Sequence, residues 1–477
     1  MIDTKALRSK VLDLAIQGKL TEQLESDGTA EELFAQIQEE KQRLIKEGKI
    51  KKEKPLPPVD DEEIPFEIPN NWKLVRFSDI IKLQSGQDLT NQEYNDNNVG
   101  IPYITGASNY NTDGSLIINR WTETPKAIAG KGDILISCKG TVGKITILQI
   151  EKVHIARQIM GIRTYYISNV FVEMYMQSVV NGIKNAQKGL IPGIERNDIL
   201  SLAFCLPPLA EQKRIVERVE EIFKLLDIID EAQAKYSADV ETLKSKLITM
   251  GIQGKLTEQL ESDETAEELF AQIQKEKQTI LQSRKGRKDN SIIPIDSKTP
   301  FILPENWKWI RFGETGFFRK GPFGSSLTKS IFVPKSDNTI KVYEQQHAIQ
   351  KNSTLGTYYI TKEYFESSMR GFEVCAGDII VSCAGTIGET YIMPDNIEKG
   401  IINQALMRIT LAPSIDKRFF LYYFNSNLKQ DAQNGNGSAI TNIPPFEIMK
   451  NWYFPLPPLA EQKRIADKLD EILRVIG

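Results

Sequence analysis

The chain has 477 residues, 40% of them hydrophobic and 26% charged, the proportions of an ordinary folded protein long enough for two or more domains. No run of 18 apolar residues occurs, and the opening MIDTKALRSK leads into no signal-peptide core. No membrane span or export signal is expected, and a cytoplasmic location is expected. Cys138, Cys205, Cys375 and Cys383 lack CxxC spacing, and only His154 and His347 are available as imidazoles. That excludes a disulfide framework or zinc ribbon, leaves little material for histidine chemistry, and predicts no metal site.

The net charge of −3 divides unevenly. Residues 71–205 carry 14 Lys and Arg against 11 Asp and Glu, and residues 306–455 carry 16 against 13. Two mildly basic stretches thus alternate with acidic ones, and their recurrence matters more than their size.

In chain order, the first signal is a repeat. Residues 16–42 and 252–278 are identical except at Gly28/Glu264 and Glu39/Lys275. PFEIPNNWK at 65–73 returns as PFILPENWK at 300–308, and LPPLAEQKRI occurs at both 206–215 and 456–465. Pro-rich, charged linkers at 49–69 and 284–304 precede each interior. The interiors share only islands: GDILISCKGTVG at 132–143 with GDIIVSCAGTIG at 377–388, and Arg157-Gln158 with Asn403-Gln404. A near-identical scaffold is present twice, and a divergent insert twice.

Short β-type runs are predicted at 133–137, 144–149, 379–382 and 391–393, followed by helices at 170–184 and 417–432. Residues 207–250 lack internal Gly and Pro after the Pro207-Pro208 start and predict one helix of roughly 65 Å, stopped by Gly251. Its apolar positions Ile215, Val219, Ile222, Leu226, Ile229, Tyr236, Val240, Leu243 and Leu247 alternate spacings of four and three, interrupted by Gln233, which is expected to fix register. The same seam runs through Ile465, Leu469 and Ile472 and continues at Leu7 and Val11. The expected partner rod is thus cut in two, with the chain's ends close together. The fold class is α+β: two β-rich domains with some helices, separated by a long antiparallel, coiled-coil-like helical pair in a pseudo-twofold arrangement.

No catalytic constellation is present, neither a methyltransferase [DNS]PP[YFW] motif nor a nuclease core nor a Walker loop. The GTVG and GTIG sites read as tight hairpin turns or as phosphate-approaching turns presenting Lys139, Thr141 and Thr386. Gln158 and Gln404 are placed at equivalent positions, able to bond an adenine edge, as Arg157 is a guanine, or to bridge backbone groups inside the domain. Where the inserts differ, Tyr103, Asn109, Tyr110, Gln187 and Lys188 in the first, and Arg319, Lys320, Ser325, Gln345, Gln346, Asn436 and Ser438 in the second, supply the amides and bases that groove edges and phosphates require. A solvated loop has the same composition. A coiled-coil scaffold whose inserts bind proteins or glycans is the alternative reading.

The duplicated LPPLAEQKRI, the IPNNW opening at 68–72 and the GDILIS run resemble the specificity subunit of type I restriction-modification systems across essentially the whole chain. The resemblance implies residues 71–205 and 300–455 as target recognition domains, each reading half of a split, asymmetric DNA site. Residues 1–70, 206–299 and 456–477 would form the helical spacer that sets the half-site gap and docks two methylation subunits. Restriction subunits would join that complex. It implies no catalysis by this chain, with S-adenosylmethionine, ATP and Mg²⁺ held only by partner subunits. One departure is that part of the spacer repeat stands at the N-terminus, as in a permuted cut of the family's circular organisation.

Overall fold

The computed structural model describes residues 1–52, 54–111, 113–186, 193–283, 292–434 and 443–477. The chain divides into two compact units, Met1–Lys235 and Tyr236–Gly477. Gln187, Lys188, Asn436 and Ser438 lie outside the described residues.

The first unit opens with helices α1 (Thr4–Ile16) and α2 (Ala30–Lys46). Asp3 and Thr29 cap them through their side chains, each accepting a hydrogen bond from the first turn. A β domain follows, with β1 (Lys73–Arg76), β2 (Ile81–Ser85), β3 (Ile101–Ile104), β4 (Trp121–Thr122), β5 (Ile128–Gly130), β6 (Ile134–Ser137), β7 (Ile145–Ile147), β8 (Lys152–Ile155) and β9 (Ile159–Thr164). Helix α3 (Asn169–Ala186) and β10 (Ala203–Leu206) complete it. Helix α4, Leu209–Ile252, then runs through 44 residues, about 66 Å at 1.5 Å per residue.

The second unit repeats this plan. Helix α5 (Ala266–Ser283) precedes β11 (Lys308–Arg311), β12 (Gly316–Lys320), β13 (Thr339–Tyr343), β14 (Tyr359–Thr361), β15 (Glu373–Val374) and β16 (Ile379–Ser382). Then come β17 (Thr390–Ile392), β18 (Gly400–Ile402), β19 (Leu406–Leu411), α6 (Lys417–Asn434), β20 (Tyr453–Leu456) and α7 (Leu459–Val475).

The two inserts, so different in sequence, have one topology. The first holds sheets β2-β9-β6-β7 and β4-β3-β8-β5 above a β1-β10 neck, and the second β12-β19-β16-β17 and β14-β13-β18-β15 above β11-β20. In each, a single parallel pair (β3 with β8, β13 with β18) joins otherwise antiparallel ladders. The necks share a register, Lys73 opposite Leu206 and Lys308 opposite Leu456. Strands β6 and β16 are buried at every position, which is why ILI and IIV run apolar without alternation before the closing serine.

One core unites scaffold and insert in each unit. Leu12, Ala15, Leu33 and Ile37 of α1 and α2 pack with Phe77, Phe171, Phe204, Ile215 and Val219. Leu269 and Ile273 of α5 do the same with Phe312, Phe419, Phe454, Ile465 and Leu469. Such a shared core holds an insert rigidly on its helices, since close-packed interiors resist relative movement.

The predicted seam needs correction in its second half. Along α4, Ile215, Val219 and Leu226 are buried and Ile222, Ile229, Gln233, Val240, Lys244 and Leu247 half-buried, but Tyr236 is 64% and Leu243 45% exposed. Leu7, the counterpart of Leu243, is 43% exposed, while Thr4, Leu12 and Ala15 are buried and Val11 half-buried. The cause is the period. A heptad pattern drifts by about 20° per repeat around a helix with no supercoil, so three repeats carry it about 60° off the packed face. Burial instead recurs with the 3.6-residue turn. In α7, Ile465 and Leu469 are buried and Ile472 half-buried.

Gln233 bonds the backbone of Ile2 at the start of the chain. Its Oε1 accepts from Ile2 N (2.5 Å) and its Nε2 donates to Ile2 O (3.2 Å), while Arg8 reaches Asp227 (2.7 Å) and Asp230 (3.1 Å) on α4. These contacts run α1 antiparallel to α4 within the first unit. In the second unit Lys244 Nζ donates to Gly477 O (2.6 Å) and Gly251 meets α7.

Gly251 is no stop signal, since α4 runs past it to Ile252. A Cβ there would stand 3.0 Å from Ile465 Cγ2 and 3.2 Å from Leu469 Cδ1. The matching residue of the first copy is Ala15, also buried. Gly251→Ala should therefore be close to neutral, its helix propensity (about 1 kcal/mol) offsetting a tight contact. Gly251→Leu should destabilise the second unit by about 1–3 kcal/mol through overpacking, measured by denaturant unfolding.

Candidate nucleic-acid interface

The repeated motifs form a clasp that holds each insert on its scaffold. The buried Glu211 side chain of LPPLAEQ accepts from Trp72 Nε1 (2.9 Å), Gln23 Nε2 (2.9 Å) and Asn71 Nδ2 (3.3 Å). Glu461 accepts from Trp307 Nε1 (2.8 Å), Gln259 Nε2 (2.8 Å) and Thr257 Oγ1 (3.2 Å). The next residue works locally: Gln212 spans Pro207 O (3.0 Å) and Ser168 N (2.9 Å), and Gln462 spans Pro457 O (2.9 Å) and Asp416 N (2.9 Å). Arg214 grips Asp27 with both Nη atoms at 2.6 Å, as Arg464 grips Asp263 at 3.0 and 2.6 Å. The guanidinium hydrogen bonds hold both carboxyl groups below the usual carboxylate range. Repetition of the Trp, Glu and Gln letters in both halves is the sequence signal for this clasp.

The loops that carry the candidate contact residues gather at one end of each β domain. In the first, five loops are tied together by backbone bonds: Gly86 N to Ile159 O (3.1 Å), Gln87 N to Ile155 O (2.9 Å), Ala156 N to Ile104 O (2.9 Å), Cys138 N to Gln158 O (2.8 Å) and Ile194 N to Cys138 O (2.9 Å). The second repeats the pattern, with Gly321 N to Leu406 O (2.9 Å), Asn403 N to Tyr343 O (3.0 Å), Cys383 N to Ala405 O (2.8 Å) and Ile443 N to Cys383 O (3.0 Å). Gly86 and Gly321 match because a Cβ at either would lie about 2 Å from a carbonyl oxygen, 2.0 Å from that of Ala156 and 1.8 Å from that of Asn403.

The shared island builds the turn at this end. Ser137 Oγ donates to Thr141 O (2.8 Å) and accepts from Lys144 N (2.8 Å). Ser382 Oγ bonds Thr386 O (2.6 Å) and Glu389 N (2.9 Å) in the same way. Lys139, Thr141 and Thr386 are exposed on these turns, and Gln158, Lys320, Ser325 and Gln404 are exposed on the neighbouring loops.

Three candidates, Tyr103, Asn109 and Tyr110, are corrected. Tyr103 is buried, its ring 4.9 Å from His154 and its hydroxyl accepting from Leu89 N (3.3 Å). Asn109 is buried, its Oδ1 accepting from Thr105 N (2.9 Å) and Gly106 N (3.2 Å) and its Nδ2 donating to Ile117 O (2.8 Å). Tyr110 lies in a core cluster with Ile104, Ala129 and Leu135. Polar and aromatic letters in a Gly-rich stretch signalled an exposed loop, whereas these three side chains build the loop from inside. Gln345 Nε2 donates to Ala384 O and Thr386 O (3.2 Å), tying a short helix to the turn, and Gln346 Nε2 donates to Glu344 (2.9 Å). Arg319 stacks on Phe372 with its guanidinium 4.5 Å from the ring centre.

The pairing of Gln158 with Gln404 is one residue out of step. Because Gln158 O and Ala405 O accept the matching bonds from Cys138 N and Cys383 N, Gln158 corresponds to Ala405. Gln404 therefore stands where Arg157 stands.

His154 is a structural pin: its Nε2 bonds Gln87 O (2.9 Å) and its Nδ1 lies 3.1 Å from Ala127 N. Burial pushes its pKa below the ordinary imidazole value. Among the described residues no group of three or more His, Cys, Asp or Glu is placed to hold a metal ion, and no helix is long and apolar enough to cross a membrane.

Two β domains of one topology and divergent sequence, each clasped to one copy of a duplicated helical scaffold, define a recognition protein with two inserts. The model of the type I restriction modification DNA specificity domain matches residues 69–235 and 304–476, and the chain belongs to that family. It is similar to the EcoAI specificity subunit of Escherichia coli, at 26% identity over 98% of this chain and 89% of that one. To the EcoEI specificity subunit of Escherichia coli it is 24% identical over 99% and 89%. A solved chain from work on complex assembly and conformational transition of the type I restriction-modification system shares the fold, with TM-score 0.59 and 18% identity over 86% of this chain and 92% of that chain. The chain is thus a type I specificity subunit, the non-catalytic component, with two target recognition domains.

Proposed function

We propose that each β domain reads one half of a bipartite, asymmetric double-stranded DNA sequence through its loop end. Residues 71–205 and 300–455 are the two readers, and Lys139, Thr141, Gln158, Lys320, Ser325, Thr386 and Gln404 are the described candidates at their contact surfaces. The helices of residues 1–70, 206–299 and 456–477 set the half-site spacing and dock two copies of a methylation subunit. Restriction subunits complete the assembly, and S-adenosylmethionine, ATP and Mg²⁺ are held by these partners in the cytoplasm.

One observation carries this reading: a common topology and clasp hold two loop ends whose exposed side chains differ. Half-sites separated by unread base pairs require readers at a set distance and rotation, because a helical turn of about 34–36 Å takes 10–10.5 base pairs. Inserts that share a core with their helices meet that requirement better than flexibly tethered ones would.

The test is to map methylated adenines in a host carrying the chain with its methylation subunit. A single split sequence with different halves and a fixed spacer is expected. An unbroken site would contradict the proposal, and so would binding that failed to weaken steeply with salt, the behaviour of a protein- or glycan-binding scaffold.

A further inference from the structure

We propose that one structural position, two residues beyond β8 and β18, is a base-reading position in both domains. Arg157 reads a guanine in one half-site, and Gln404 reads an adenine in the other. The inference rests on the DNA-reading function proposed above.

The hydrogen-bond frame identifies the position. Ala156 N bonds Ile104 O as Asn403 N bonds Tyr343 O, and Gly86 N bonds Ile159 O as Gly321 N bonds Leu406 O. Arg157 and Gln404 each fall between these matched pairs, in the middle of the loop cluster. Both side chains are exposed.

Arg157 is held in a particular pose. Asp88 Oδ2 lies 2.7 Å from its Nε, and Asp88 Oδ1 accepts from its backbone N–H (3.1 Å). Asp88 lies closest to Nε, neither Nη atom makes a hydrogen bond to a described residue, and the side chain is 70% exposed. A guanidinium in that state presents two parallel N–H donors, the arrangement that matches guanine O6 and N7. Asp88 is thus a positioning residue: it fixes the fork and lowers the entropy lost when a base is engaged.

Where Asp88 stands in the first domain, the second has Phe323, and at the reading position it has an amide. The Gln404 amide has no hydrogen-bond partner among the described residues, leaving one donor and one acceptor for the adenine N6 and N7 edge. Arginine for guanine and glutamine for adenine are alternatives at one place in a common frame, which is how one fold can serve two half-sites.

The experiment uses the full chain assembled with its methylation subunit, mapping methylated sites for wild type, Arg157→Ala, Arg157→Lys and Gln404→Ala. Arg157→Ala and Arg157→Lys should each relax one G·C position in one half-site, with discrimination there falling roughly 5- to 150-fold and the other half unchanged. Gln404→Ala should relax one A·T position in the opposite half-site. Asp88→Ala should weaken discrimination at the Arg157 position alone.

Unchanged specificity in Arg157→Ala or Gln404→Ala overturns the assignment while leaving the DNA-reading function intact. So does an Arg157→Lys variant of wild-type specificity, paired with an Arg157→Ala variant weakened equally on all sequences, because that is the signature of a phosphate contact. A variant that leaves no methylation is decided by binding to DNA carrying each base at the position, where equal loss for all four overturns the assignment. A wild-type complex without a split site would instead overturn the DNA-reading function itself.

Discussion

Glu211→Ala is expected to destabilise the first unit by about 3–5 kcal/mol, a large part of the 5–15 kcal/mol typical of a domain. The glutamate is buried and accepts from Trp72, Gln23 and Asn71. Truncation leaves the buried Trp72 Nε1–H without its acceptor, at about 1–3 kcal/mol, whereas Gln23 is exposed and keeps Gly18 O as a partner. It also opens a cavity where the insert's neck meets its helix. Glu461→Ala should do the same to the second unit, because Trp307 and Gln259 lose their acceptor. Denaturant unfolding followed by hydrogen exchange distinguishes the units: each substitution should weaken protection in its own half and spare the other. Glu211→Gln should be milder, since an amide oxygen still accepts from Trp72. Equal losses from Gln and Ala would show that hydrogen-bond acceptance is not what Glu211 supplies.

The clasp also explains how far the sequence could be read. Duplication, long helices and the division into scaffold and insert follow from repeated letters and apolar spacing, and both express themselves directly in local structure. The helical face was harder. Ile215, Val219 and Leu226 satisfy heptad and 3.6-residue periods alike, and only beyond Gln233 do the two diverge enough to expose Tyr236 and Leu243. Strands such as Trp121–Thr122 and Glu373–Val374 have two residues each, too few for alternation to register.

The candidate interface shows a different kind of limit. Aligning Arg157-Gln158 with Asn403-Gln404 by shared glutamine is natural on letters alone, yet the backbone ladder shifts the match by one and sets Gln404 against Arg157. Identity in one residue carries little information between divergent inserts, whereas a set of equivalent hydrogen bonds fixes register. Burial was equally invisible: Tyr103, Asn109 and Tyr110 have the composition of a binding loop and the environment of a core.

The claim on which the account stands is that each insert reads its own half-site independently. Its most direct test grafts residues 308–456 in place of residues 73–206, so that both units carry the same β domain. The necks allow this, since β1 pairs with β10 and β11 with β20 in one register. Mapping methylated adenines for the grafted subunit, assembled with its methylation subunit, should yield an inverted repeat of a single half-sequence across the original spacer. An unchanged asymmetric site, or the disappearance of any split sequence from a complex that still assembles, would contradict it.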